Sequence, residues 1–141
     1  MTFSKKFLGT VNQHFFIQSV LVAVLYFVTA RIGLSFNSTH SVAFLLWPPG
    51  GIAMAAAYLL GARIAPAIYI AAVLVALTNH SPFFPALIIG IGNVLEAVVG
   101  ASLLKKVSGF SPRFERLKDV IAFVFIAVIF APVFSPTIGC L

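Results

Sequence analysis

The chain has 141 residues, of which 61% are hydrophobic and 9% are charged, and its formal net charge is +6. A soluble domain has about 25% charged residues, so this composition excludes an ordinary water-soluble globule. The basic residues are dispersed over short segments between apolar runs, which argues against nucleic-acid binding and for contact with a lipid bilayer and its anionic head groups.

Five apolar segments approach the length of about 20 residues that a helix needs to cross a bilayer. In chain order they cover residues 15–30, 42–60, 64–78, 83–104 and 120–137, and the third is expected to extend over 62–79. Short connections predict that neighbouring helices run antiparallel as hairpins. The runs lack the alternation of barrel strands. The sequence therefore predicts an all-α, multi-pass transmembrane bundle of about five spans, forming one membrane domain over residues 1–141.

The first segment has two interpretations. Lys5 and Lys6 precede an apolar run that ends in Val28, Thr29 and Ala30, a pattern also typical of a cleaved secretory leader. The apolar core is long for a leader, which favours a retained helix. Cleavage would leave four spans and the same class of protein.

The second segment contains strong helix breakers in the stretch FLLWPPGGIAMAA, residues 44–56. Because proline suits the first turn of a helix, we expect a break or kink between Trp47 and Gly51 and a new helix from Pro48 or Pro49. Irregular backbone at membrane depth survives only against protein or a wet cavity, so the break should face the bundle interior. A packing kink and a ligand site both remain open. The candidate ligand-site residues here are Trp47, Pro48, Pro49, Gly50 and Gly51.

The fourth segment carries an acid, Glu96, inside an apolar span, where a carboxylate costs a few kcal/mol unless it faces protein or water. Asn93 lies on the same edge of the helix, and small residues flank both. The predicted helix-packing residues are Gly92, Ala97, Gly100 and Ala101. Asn93 and Glu96 either join helices by hydrogen bonds or sense a ligand or proton. In the second interpretation, the break in the second segment faces them.

Basic residues lie in alternate connections between the segments. They are Lys5, Lys6, Arg63, Lys105, Lys106, Arg113, Arg116 and Lys118. Only Arg31 lies in the other set. The positive-inside rule therefore predicts a cytoplasmic N-terminus, a cytoplasmic loop after the fourth segment, and an external C-terminus for this chain.

No catalytic constellation, phosphate-binding loop or metal-ligand spacing is visible, so no catalytic residue, metal ion or cofactor is predicted. Glu115 belongs to the basic loop, and Asp119 fits the first turn of the next helix, where a carboxylate faces the positive end of the dipole. Cys140 has no partner for a disulfide. Arg31, His40 and His80 are expected as solvated residues at the external edge.

Four motifs in a fixed order resemble the first MASE type, a bacterial membrane-associated sensor domain. They are a W-P-x-G break, a G-x-R turn, a G-N-x-L-E-A-x-x-G-A helix and an R-x-x-D-V entry to the next span. The residues that carry them are Trp47, Pro48, Gly50, Gly51, Gly61, Arg63, Gly92, Asn93, Glu96, Gly100, Arg116 and Asp119. The resemblance covers nearly the whole chain from the first span onward.

The resemblance implies a helical sensory domain of the bacterial inner membrane that regulates a cytoplasmic output module. Such modules are histidine kinases of two-component systems, diguanylate cyclases or phosphodiesterases. Relatives carry more spans than this chain and an output domain, so the chain is expected to be incomplete relative to the family. Expected partners are the lipid bilayer, a second copy of the chain or another membrane protein. A small transport subunit, with Glu96-dependent flux, and a membrane assembly partner are the alternative functions.

Overall fold

The computed structural model describes residues 2–37 and 47–133, with side chains described at 13–35 and 47–133. Its α-helices are α1 (Thr2–Asn37), α2 (Pro48–Leu60), α3 (Ala65–Thr78), α4 (Phe83–Lys106) and α5 (Leu117–Phe123). A π-helical segment, Val124–Phe130, and a 3-10 turn, Ala131–Val133, continue α5 without a break. Within these ranges no residue forms a β-strand, and the predicted all-helical architecture is confirmed.

Prolines and glycines set most of the helix ends. Pro48 and Pro49 occupy the first two positions of α2, where a missing N–H and a fixed φ suit a helix start. Gly61 ends α2 with φ 82°, a left-handed conformation that glycine adopts without a side-chain clash. α1 extends well beyond the predicted segment 15–30, because no proline interrupts the residues that flank it.

The four longer helices form one bundle. α1 packs against both α2 and α3, and α4 also packs against both. The 3-10 turn Ala62–Ile64 joins α2 to α3, but these two helices make their main contacts with α1 and α4 rather than with each other. The predicted hairpin connection is present for this pair, but each of the two helices buries its alanine-rich face against the longer helices rather than against the other.

Small side chains fill the interior, and large apolar side chains cover the outside. The buried residues include Ala30, Ala53, Ala57, Ala71, Ala72, Ala97 and Ala101. In contrast, Phe16, Leu59 and Phe84 are exposed over 68%, 76% and 77% of their surface. Soluble proteins bury their large apolar residues, whereas helices in lipid approach one another through small ones. The pattern is that of a bundle built for an apolar solvent.

Two helices have the length and composition of a complete membrane span. They are α4 and the part of α1 from Gln13 to Ser35. α2 and the combined segment Ala62–Thr78 are apolar but shorter. The predicted fifth segment, 120–137, corresponds to α5 and its continuation up to Val133, and residues 134–137 lie outside the described part of the chain.

One end of the bundle carries much of the positive charge. The Arg63 guanidinium lies 5.4 Å from the centre of the Phe15 ring, and Lys105 Nζ lies 5.4 Å from the centre of the Tyr58 ring. Both contacts are of the cation–π type, in which a cation sits over an aromatic face. The turn after α2, the end of α4 and the loop 107–116 thus lie together, and we call this region the charged end.

The opposite end lies about 36 Å away along α4, at a rise of 1.5 Å per residue. There Arg31 Nη1 donates a hydrogen bond of 3.4 Å to the carbonyl of Thr78, in the last turn of α3. A cation at this position complements the negative end of the helix dipole. His80 lies in the adjacent turn with φ 63°, while His40 lies outside the described residues.

Candidate functional site

The start of α2 leaves few free backbone donors. Pro48 and Pro49 have no N–H, and the N–H of Gly50 donates to the carbonyl of Trp47 at 3.2 Å. Trp47 precedes the helix in a non-helical conformation and makes no side-chain cap. A helix start usually attracts anions through its free N–H groups, and here the two prolines remove much of that capacity.

A hydrogen bond joins α1 to α4 in the interior of the bundle. The hydroxyl of Tyr26 donates to Asn93 Oδ1 at 2.7 Å, and Asn93 Nδ2 donates to the carbonyl of Ile89 at 2.8 Å. Tyr26 is only 1% exposed and Asn93 is 8% exposed. The oxygen and the nitrogen of the Asn93 amide are therefore both hydrogen-bonded, and the residue links α1 to α4.

Sequence reasoning did not identify Tyr26 as part of this site. The signal was present, since a tyrosine in the middle of an apolar span must find a partner for its hydroxyl when it is buried. The identity of that partner could not be read from the sequence, because Tyr26 and Asn93 are 67 positions apart.

Glu96 lies against the start of α2. A Cβ atom placed on Gly50 would lie 3.1 Å from Glu96 Oε1 and 3.6 Å from Trp47 Cδ1. Gly50 therefore gives the carboxyl and the indole room to approach the same point. The structure thus brings Trp47, Gly50 and Glu96 together. Asn93 lies three residues before Glu96 on the same helix and bonds to Tyr26 of α1.

A cavity of about 650 Å³ opens from this point between α2, α4 and the continuous segment 117–133, which comprises α5, the π-helical segment and the 3-10 turn and which we call the C-terminal helix. Pockets of about 300–1,000 Å³ are typical of small-molecule sites. Trp47, Pro48, Gly50, Gly51 and Glu96 line one part of it. Pro49, the remaining candidate from the break, is buried and is not among the lining residues.

Aromatic side chains line the other part of the cavity, near the charged end. They form a continuous edge-to-face series, which we call the aromatic cluster: Tyr58, Phe110, Phe114 and Phe123. The ring centres are 5.1 to 6.3 Å apart, within the range that favours such pairs. The sequence provided only a weak indication of this cluster, because Phe110 and Phe114 lie in a loop with several charged residues.

The C-terminal helix contributes the third wall. Its π-helical segment places Ala127 and Val128 at the cavity, followed by Pro132. Proline has no N–H and clashes with the carbonyl four residues earlier, which a wider helical turn relieves. The irregular segment therefore has a physical cause in the sequence, and it lies directly on the cavity.

The predicted packing residues occupy tight positions in α4. A Cβ atom on Gly100 would lie 2.5 Å from Met54 Cε and 3.0 Å from Ala131 Cβ, so this glycine brings α2 and the C-terminal helix onto α4. Ala97 and Ala101 are also buried. Gly92 is buried in the same helix.

Asp119 is fully buried, with neither carboxylate oxygen hydrogen-bonded within the described part of the chain. Its place in the first turn of α5 is the predicted one, yet its side chain caps no backbone group. A buried carboxylate without donors is rare in native structures. No cluster of three or more His, Cys, Asp or Glu side chains surrounds it or any other described residue.

The fold and the site define a small helical membrane-type bundle with a cavity between its helices and a polar cluster, by which we mean Tyr26, Asn93 and Glu96. The model of one family, MASE1, matches residues 18–141, nearly the whole chain. The chain therefore belongs to the MASE1 family of membrane-associated sensor domains, and the predicted resemblance is confirmed. No curated protein and no solved structure matches it.

Proposed function

We propose that this chain is the sensory input region of a multi-pass protein in the bacterial inner membrane. A stimulus received between its helices would regulate a cytoplasmic output module, which is a histidine kinase, a diguanylate cyclase or a phosphodiesterase. Membership of MASE1 supports the sensory role, and the outward-facing large apolar side chains support the membrane setting.

The observation that carries the proposal is the position of Glu96. This acid lies near the middle of α4, is 8% exposed, and borders a cavity at the start of α2. An ionisable group at membrane depth is costly and is retained where it serves a site or a pathway. Packing alone would be served as well by a neutral residue of similar shape.

The contacts around the cavity suggest how a signal would travel. Glu96 and Gly100 lie one turn apart on α4, and they touch α2 at Gly50 and Met54. Gly100 also approaches Ala131 of the C-terminal helix. A change at Glu96 would therefore shift α2 relative to α4 and pass to the C-terminal helix.

The distribution of charge supports one orientation. In the proposed orientation the charged end faces the cytoplasm, because basic residues near membrane spans are enriched there. The N-terminus and the loop 107–116 then lie inside the cell, and the turn 79–82 lies outside. The polar cluster then lies near the middle of the bilayer.

The first test measures the signalling output of the full-length gene product carrying Glu96→Gln. The substitution keeps the size of the side chain and removes its charge, so the output is expected to become fixed at one level and to stop responding to growth conditions. Glu115→Gln is the matched control, because Glu115 is exposed in the loop, where it pairs with Arg113 at 3.8 Å. An output that responds normally in Glu96→Gln, at equal amounts in the membrane, would contradict the proposal.

A transport subunit would also use a broken helix and a buried acid. It differs in its readout, because transport predicts Glu96-dependent flux into liposomes that contain only this chain. The sensory proposal predicts no such flux.

A further inference from the structure

The cavity described above has a chemical character that narrows the class of ligand. Glu96 is the only charged residue among the described residues that line it. No described residue donates a hydrogen bond to its carboxyl group, although the side chain is largely buried. The start of α2 offers little compensation, since Pro48 and Pro49 lack N–H groups and the N–H of Gly50 bonds to Trp47.

A buried carboxylate without donors is stabilised by a cation that also supplies hydrogen bonds. An anionic ligand would instead be repelled by the Glu96 carboxylate. The electrostatics of this part of the cavity therefore favour a positively charged group.

The aromatic ring of Trp47 adds a second recognition element for a cation. Its Cδ1 atom and Glu96 Oε1 both lie within 4 Å of the position where a Cβ of Gly50 would stand. An ammonium group is attracted to the face of an indole, and a carboxylate beside the ring adds an ion pair. Together the two side chains suit an amine more closely than an alcohol.

The remaining walls suit an apolar body. Met54, Leu104 and Val128 line the middle of the cavity, and the aromatic cluster lines the part near the charged end. A hydrocarbon chain or a ring attached to the amine would bury its apolar surface here, which favours binding.

We propose that the cavity binds a lipophilic amine, with its ammonium group between Glu96 and Trp47 and its apolar portion along α2 toward the aromatic cluster. This inference rests on the proposed sensory function and names the class of ligand for the same site.

Trp47 is the only tryptophan in the chain, so its fluorescence reports directly on the site. The test titrates octylammonium, octanol and octanoate into the chain in nanodiscs of phosphatidylcholine. Octylammonium is expected to shift the Trp47 emission saturably, whereas octanol and octanoate at the same concentrations are expected to give no saturable shift. Equal responses to the three probes, or no saturable response to octylammonium, would overturn the proposal.

Two variants locate the interaction. Glu96→Gln is expected to weaken octylammonium binding roughly tenfold or more, as for loss of a buried charge partner. The exposed control Glu115→Gln should bind like the unmodified chain. Ala55 lines the cavity, so Ala55→Phe reduces the cavity volume while Glu96 is kept. It should also weaken binding, which provides a test should Glu96→Gln fold poorly. Unchanged affinity in Glu96→Gln, or in Ala55→Phe where Glu96→Gln does not fold, would overturn the proposal.

Failure of this inference is distinguishable from failure of the sensory function. If octylammonium shows no preference but Glu96→Gln still fixes the output, the ligand class is wrong and the sensory site remains. If the output responds normally in Glu96→Gln, the sensory function itself is contradicted.

Discussion

At the scale of single residues, the site depends on positions where a side chain is absent. Gly50 allows the Glu96 carboxyl to approach the start of α2, because any Cβ at this position would stand 3.1 Å from Oε1. Gly51, its neighbour, has no atom within 4 Å of the corresponding position. The two glycines are adjacent in the sequence, but only Gly50 lies close to Glu96.

This difference gives a matched pair of variants. Gly50→Ala is expected to displace the Glu96 carboxyl by a few tenths of an ångström and to change the signalling output, while the helix itself gains slightly because alanine is the better helix former. Gly51→Ala should gain the same helix propensity without a contact to Glu96, and it is expected to change the output less than Gly50→Ala does. The measurement is the output of each variant in the full-length protein. Equal outputs from both variants would show that the contact between Gly50 and Glu96 has no functional role.

Much of this site followed from residue types, and part of it did not. The proline pair was enough to predict a helix start at Pro48 or Pro49, and the acid in an apolar run was enough to predict a carboxyl within α4. Their contact with each other depended on how α2 packs on α4, which the sequence left as a hypothesis. Tyr26 was missed because its partner is distant in the sequence. The aromatic cluster was missed because the charged residues of the loop 107–116 indicate exposure to solvent.

At the scale of elements, α4 is the axis of the bundle. The predicted bounds of this helix, 83–104, differ from Phe83–Lys106 only at the end, where two lysines extend the last turn and complement the helix dipole. The C-terminal helix was harder to predict. Its run of apolar residues is continuous, and only Pro132 signals that the backbone leaves regular α-helical geometry there.

The tight approach at Gly100 supplies the test at this scale. Gly100→Ala would bring a methyl group to 3.0 Å from Ala131 Cβ and 2.5 Å from Met54 Cε. Met54 is flexible and can move aside, whereas Ala131 can yield only if the C-terminal helix shifts. We expect a loss of stability of about 1–3 kcal/mol, as for overpacking of a filled core.

The loss is measured by thermal unfolding in detergent micelles, with Gly51→Ala as the control for the added methyl group. A Gly100→Ala variant as stable as that control would show that the two helices are not packed closely at this point.

At the scale of the whole molecule, the chain combines an interior of small residues with an exterior of large apolar ones. Composition alone predicted a membrane protein, because 9% charged residues cannot cover a soluble surface of this size. The sequence could not predict that α2 and α3 contact α1 and α4 more than each other. That arrangement depends on how the alanine-rich faces of α2 and α3 pack against α1 and α4. The number and length of apolar segments do not determine this packing.

The proposed membrane orientation is tested by locating the two ends of the bundle relative to the membrane. Asn79→Cys and Ser108→Cys, each introduced with Cys140→Ser, place single thiols at exposed positions of the turn after α3 and of the basic loop. Intact cells are treated with a membrane-impermeant maleimide, and so are lysed cells. If the charged end faces the cytoplasm, we expect labelling of Asn79→Cys in intact cells and labelling of Ser108→Cys only after lysis. Labelling of both positions from the same side would contradict a bundle that crosses the membrane with its charged end in the cytoplasm.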